Sequence, residues 1–134
     1  RAVCTPNVVD RNGYFGASDM PGDTRALYGI DGYLWNAEQT LGGELDETLR
    51  EMRRSALLRD EKLALGEFSI AASARQIRQI ATVPVFLARR GIGYVGLFSA
   101  HNADRGEPDF RIDRDERVAA AWARVIKRTT RVMR

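Results

Sequence analysis

The chain has 134 residues, 44% of them hydrophobic, enough for one packed domain and far from the composition of a disordered segment. Its net charge of +3 comes from 21 cations and 18 acids, and the signs interleave in "RDEK" (59–62) and "RIDRDER" (111–117), a pattern of solvated faces and turns that speaks against a specific nucleic-acid surface. One cysteine, Cys4, and one histidine, His101, exclude an internal disulfide, a thiolate zinc cluster and a multi-histidine metal site, so neither metal nor cofactor is expected, and no run of about 18 apolar residues is present to span a membrane.

The sequence begins at Arg1 rather than Met and shows no signal-peptide pattern. Either a start was removed by processing, or these residues are a piece of a longer polypeptide. "RAVCTPNVV" (1–9) is a candidate strand, and "DRNGYFGASDMPGD" (10–23) is a loop rich in turn formers. Cys4 has no basic partner close in sequence and reads as an inert buried thiol. Within "ALYGIDGYLWN" (26–36) a strand is predicted over Ile30–Trp35, entered through Gly29. "GELDETLREMRRSALLRDE" (43–61) is predicted to be a helix, with Leu45, Leu49, Met52, Ala56 and Leu57 spaced by threes and fours. Its acids come first and its arginines last, as the helix dipole prefers. "KLALGEFSI" (62–70) reads as a buried strand.

A second helix is predicted from Ser73, as N-cap, to Arg90, with Ile77, Ile80, Ala81, Val85, Phe86 and Leu87 on its apolar face. Pro84 inside the run predicts a kink or a break, and Gly91 a C-terminal stop. "IGYVGLFSA" (92–100) is a third strand whose small and apolar residues suit burial on both faces. The glycines of "GIG" (91–93) precede this strand, the wrong side for a phosphate-binding loop. "DERVAAAWARVIKRTTRVM" (115–133) is a last helix with Val118, Ala121, Trp122, Val125 and Ile126 facing inward, and the basic run at its end reads as a polar helix terminus. Alternation of strand and helix predicts an α/β fold with a parallel sheet and right-handed crossovers. Residues 1–134 thus form one α/β unit: a loop-rich lead-in over 1–25 and three βα units over 26–134.

In such folds the working groups gather at the carboxyl ends of the strands. The three ends carry "YLWNAEQ", with Trp35, Asn36, Glu38 and Gln39; "LGEFS", with Glu67; and "GLFSAHN", with Phe98, Ser99, His101 and Asn102. Rings to stack on a pyranose, with amides, acids and an imidazole to bond its hydroxyls, are what a carbohydrate cleft needs. Ser99 and His101 lie two residues apart with no acid to orient them, so a nucleophilic Ser–His pair is not indicated.

"LGEFSIA" followed by a helix and then "IGYVGLFSA" resembles the closing part of a (β/α)8-barrel glycoside hydrolase of the retaining type, over roughly residues 26–130. That resemblance implies that "IDGYLWNAEQ" is the sixth barrel strand, that Glu67 at the seventh is the catalytic nucleophile, and that "IGYVGLFSA" is the eighth. It further implies a sugar site shaped by Trp35, Asn36, Glu38, Phe98 and His101, with Phe98 nearest to the aromatic platform that commonly ends the eighth strand. The acid/base glutamate of such enzymes lies near the fourth strand, outside this chain, and a complete barrel takes about 250 residues. Within the chain Glu38 is the candidate second carboxyl; otherwise another chain supplies it. The alternative reading is a non-catalytic α/β binding or assembly module whose open sheet edge is covered by another chain or copy.

Overall fold

The computed structural model describes residues 3–4, 27–54, 63–101 and 105–132. These form a parallel sheet of strands β1 (Val3–Cys4), β2 (Leu27–Leu34), β3 (Leu63–Ile70) and β4 (Ile92–Leu97), interleaved with helices α1 (Leu41–Arg54), α2 (Gln76–Arg90) and α3 (Glu116–Val132). The strands lie in the order β1-β2-β3-β4, so neighbours in sequence are neighbours in space. The fold is α/β, as expected from the alternation. Residues 5–26, 55–62 and 102–104 lie outside the described residues, and with them the loop at 10–23, the expected helical positions Ala56 and Leu57, and Asn102.

All three helices pack on one face of the sheet. Ile30 and Leu34 of β2, Leu63, Leu65, Phe68 and Ile70 of β3, Leu45 and Leu49 of α1, Ile80, Val83 and Leu87 of α2, and Val118, Trp122 and Val125 of α3 form a single buried core. Trp122 meets Phe68 edge-on at 6.0 Å; its buried indole N–H has no hydrogen-bond partner among the described residues. The opposite face is only partly covered among the described residues, whose three helices all lie on the other side. Tyr94 is 47% exposed there. Burial of β4 on both faces, expected from its composition, is therefore not found.

The helices differ from expectation where tertiary contacts override local signals. α1 starts at Leu41, after Thr40, whose Oγ1 accepts the Gly43 N–H at 3.1 Å. α2 is continuous through Pro84, since Ile80, Val83 and Leu87 hold its inner face in the core on both sides of the ring. Its N-cap is Arg75 rather than Ser73, whose hydroxyl bonds the Gln79 side chain instead. The inner stripe includes Gln76 and Gln79, while Ala81 and Val85 face solvent. On α3, Asp115 accepts the Val118 N–H at 3.0 Å as the N-cap, and Ile126 is 49% exposed rather than inward. Gly91, at φ 60, ends α2 as expected. α1 and α2 are tied by a two-pronged Arg90–Asp46 ion pair, Nε to Oδ1 at 2.7 Å and Nη2 to Oδ2 at 2.5 Å, and the guanidinium hydrogen bond holds the Asp46 carboxyl below its usual range.

One irregularity in the sheet sets up everything on its open face. Ile30 pairs with Leu65 and Gly32 with Phe68, so Gly66 and Glu67 together oppose Asp31. On the other side Leu65 pairs with Val95 and Phe68 with Leu97, so the same two residues oppose Gly96. β3 thus carries a β-bulge against both neighbours at once. The bulge turns the Gly66 carbonyl toward β4, where a Cβ on Gly96 would stand 2.1 Å from its oxygen. Because the obstructing atom is backbone, Gly96→Ala is expected to force the bulge to move and to cost roughly 1–3 kcal/mol. Urea denaturation of the two proteins checks this; equal midpoints would show that the bulge has slack.

Candidate active site

Alternation from the core positions Ile30, Gly32 and Leu34 puts Asp31, Tyr33 and Trp35 on the open face of β2 and just past its end. Glu67 projects from the bulge onto the same face and is exposed. The Tyr33 hydroxyl donates a short hydrogen bond to Glu67 Oε2, and the Glu67 backbone N–H donates to Asp31 Oδ1 at 2.8 Å. Glu67 is therefore gripped twice from β2, once at its carboxylate and once at its amide. It lies within β3, three residues before the last, rather than at the strand terminus.

The electrostatics follow from that grip. Burial raises the Tyr33 phenol well above its ordinary value, and the hydrogen bond to Glu67 and the charges of Glu67 and Asp31 add to the shift. Tyr33 is thus a fixed donor at any physiological pH. Asp31 is partly buried, and burial is the main cause that raises its carboxyl above the ordinary 3.8; the Glu67 N–H opposes this and the Glu67 charge reinforces it. Two carboxyl groups share this part of the sheet, with no cation between them among the described residues.

Around them four rings form a nest. Tyr33 lies 5.8 Å from Trp35, 5.6 Å from Phe98 and 5.6 Å from Phe110. Trp35 meets Phe110 edge-on at 5.0 Å, and Phe98 lies 6.1 Å from Phe110. Edge-on pairs at these separations are favourable by about 0.5–1.5 kcal/mol each beyond burial. Phe110 is buried, whereas Trp35 is 47% exposed and offers ring surface to a ligand. Phe110 comes from the segment after β4, which is stitched across the strand ends: Ala72 N–H to the Asp109 carbonyl at 2.7 Å, Phe110 N–H to the Ala100 carbonyl at 2.9 Å, and Ser69 Oγ to the Phe110 carbonyl at 3.2 Å.

Trp35 is held by the turn behind it. Gln39 Oε1 accepts the Trp35 N–H at 2.5 Å and the Asn36 N–H at 3.2 Å. Gln79 of α2 donates through Nε2 to the Asn36 and Gln39 carbonyls, both at 2.9 Å. These two glutamines anchor the platform to the helix layer.

The expected site residues separate into two groups. Trp35 and Phe98 join Glu67 through Tyr33. Asn36 uses Oδ1 to accept the Glu38 and Gln39 N–H groups at 2.9 and 3.2 Å, which shapes the turn. Glu38 faces Arg75 across 3.4 Å at the surface, and the carboxyl that meets Glu67 is Asp31. His101 is exposed, and its charge acts on Asp109. Ser99 Oγ accepts the Ile112 N–H at 3.2 Å and makes no pair with His101. Asp31, Tyr33 and Phe110 are absent from the sequence-based set. Asp31 and Tyr33 carried a usable signal, since "DGYLW" places Asp31, Tyr33 and Trp35 at alternate positions, hence on one face. Among the described residues no three His, Cys, Asp or Glu side chains cluster as a metal site, and no helix is long and apolar enough to cross a membrane.

No protein-family profile and no curated protein matches the chain. Among solved structures it is similar to a family 5 xyloglucanase from Paenibacillus pabuli, determined in complex with ligand, with a TM-score of 0.44 and 13% sequence identity. The similarity covers 88% of this chain and 41% of that one, so the chain spans about two-fifths of the length of that structure.

The segment that delivers Phe110 has its own pH dependence. The Arg111 guanidinium bonds Asp109 at 3.1 and 2.9 Å and holds its carboxyl down at about 2, with the Arg111 backbone N–H and the His101 charge assisting. A lowered folded-state value gives stability that is fully present above the ordinary 3.8 and is lost as pH falls through about 2. Asp109→Asn is therefore expected to lower the melting temperature at neutral pH, by well under the full shift because Arg111 is 48% exposed. The gap between mutant and wild type closes between pH 3.8 and about 2. A gap that stays constant across that range in thermal scans would remove the ion pair from the account.

Proposed function

We propose that this chain carries the C-terminal βα units of a barrel-type glycoside hydrolase and that Glu67 is its nucleophile. The observation that carries the reading is the grip on Glu67. An exposed carboxylate projects from a bulge on the open face of a parallel sheet, one oxygen is held by Tyr33, and an exposed tryptophan stands beside it. Tyr33 fixes Oε2 and leaves Oε1 free to attack an anomeric carbon, while Trp35 and Phe98 offer ring surface to the sugar. Asn36, Glu38 and His101, on the segments that follow β2 and β4, complete the proposed sugar-binding set.

In the first step Glu67 forms a bond to the anomeric carbon as the glycosidic C–O bond breaks and the leaving oxygen takes a proton from an acid; water then cleaves the glycosyl ester and restores the carboxylate. Asp31 is bound to the backbone of Glu67 itself and stands beside the nucleophile. The acid/base carboxyl, required about 5–5.5 Å away across the sugar, comes from further βα units of the same barrel.

That division of labour dictates the test. A 2,4-dinitrophenyl 2-deoxy-2-fluoroglycoside has a leaving group that departs without protonation and forms a slowly hydrolysed ester, so the nucleophile can act without its acid. The expected result is a stoichiometric burst of dinitrophenolate and a glycosyl adduct on the Glu67 peptide by mass spectrometry. Glu67→Gln, whose amide oxygen still accepts the Tyr33 hydroxyl, keeps the fold and slows the burst by roughly a thousandfold or more. A folded Gln variant with a near-normal burst ends the assignment.

A second reading draws on the β4 edge, which has no strand beside it among the described residues. A non-catalytic module that pairs along this edge is expected to sediment as a dimer or larger at micromolar concentration. A monomer at that concentration disposes of self-pairing.

A further inference from the structure

We propose that Asp31 is the positioning residue for Glu67: its carboxylate accepts the Glu67 amide inside the β3 bulge and so fixes the direction in which Glu67 projects. The proposal rests on the reading of Glu67 as the reacting group and deepens it. Gly66 and Glu67 oppose a single residue on each side, so the Glu67 amide drops out of the ladder on both sides. A backbone N–H removed from its ladder needs another acceptor. Asp31 supplies one at 2.8 Å from the only residue of β2 that faces the bulge.

The choice of a carboxylate here is informative. Among the described residues, the ionisable groups that act on Asp31 and share its face are Glu67 of β3 and Tyr33 of β2, neither of them a cation, and β4 presents Gly96 at this level with no side chain at all. Burial and the Glu67 charge both oppose ionisation of Asp31. An asparagine would accept the same N–H without that opposition. What the carboxylate adds is a charge-assisted bond, about twice as strong as a neutral one, at the one backbone amide whose position sets the Glu67 side chain. Tyr33 then fixes the far end of that side chain. The two β2 residues, one position apart on the same face, hold amide and carboxylate together.

The test uses the 134-residue chain with 15N labelling and follows amide hydrogen exchange. Asp31→Ala is expected to speed exchange of the Glu67 amide by roughly ten- to a hundredfold, with the Leu65 and Ser69 amides unchanged, and Asp31→Asn to restore most of the protection. In the wild type the Glu67 amide shift follows the Asp31 carboxyl titration, with a midpoint above 3.8; in Asp31→Asn that component disappears. An Asp31→Ala protein whose Glu67 amide is as protected as in the wild type overturns the proposal, as does a folded Asn variant that fails to restore protection. None of these readings needs a substrate. If the amide follows Asp31 and the fluoroglycoside leaves Glu67 unlabelled, the positioning role stands and the hydrolase reading falls.

Discussion

An extra residue in the middle of a parallel strand is a defect unless its neighbours are built to receive it, and here they are. β3 places two residues where β2 and β4 each place one. The displaced carbonyl needs space, which Gly96 leaves by having no side chain; the displaced amide needs an acceptor, which Asp31 provides. Without the bulge, strict alternation would carry Leu65 and Phe68 to opposite faces of the sheet. Leu65 and Phe68 both point into the helix layer, three residues apart, and only an inserted residue permits that in a strand whose period is two. The insertion keeps both in the core and puts Glu67 outside it.

Glu67 stands among apolar residues in "LALGEFSIAA" for a physical reason. Burying an unpaired charge is costly, and this one is not buried. Its flanking apolar residues serve the opposite face and the strand ends. Topology does the rest: with the three described helices on one side, an exposed polar group of β3 goes to the other face of the sheet. The same face holds Tyr33 and, past the strand ends, Trp35 and Phe98. The helix layer contributes at a distance, since Gln79 of α2 bonds both carbonyls of the turn that carries Trp35.

Much of this was legible in the sequence, and the limits have physical causes. Strand and helix order, the parallel sheet, the inward Trp122 and the stop at Gly91 all follow from periodicity and glycine chemistry. Ser73 misled because it is a good cap by type; tertiary bonding gave its hydroxyl to Gln79 and left the cap position to Arg75. Pro84 does not break α2, because its cost to a helix is local, whereas the core contacts on either side of it are collective. The apolar face of α2 was drawn from apolar residues alone, so the buried Gln76 and Gln79, whose amides bond backbone carbonyls, could not appear on it. Glu67, Trp35 and Phe98 were legible from their places near strand ends. Glu38 shares the rim of strand ends with Glu67, but it is the register that sets Asp31 beside Glu67, and a bulge has no signature in a single chain beyond a glycine that many strands share.

The arrangement also assigns different tasks to groups that look alike. Tyr33, kept protonated by burial and by the carboxylate it serves, can only donate to Glu67. Asp31 accepts from the Glu67 backbone most strongly when ionised, and burial, together with the Glu67 charge next to it, makes that ionisation harder. A nucleophile of the kind proposed must stay a carboxylate, keep one oxygen exposed and not rotate away when a sugar arrives. A donor at one oxygen and an acceptor at the amide meet those demands with no cation nearby among the described residues; a cation would have lowered the basicity that an attacking oxygen needs. The acidic character of this face is in that sense a consequence of holding Glu67 by hydrogen bonds rather than by a salt bridge.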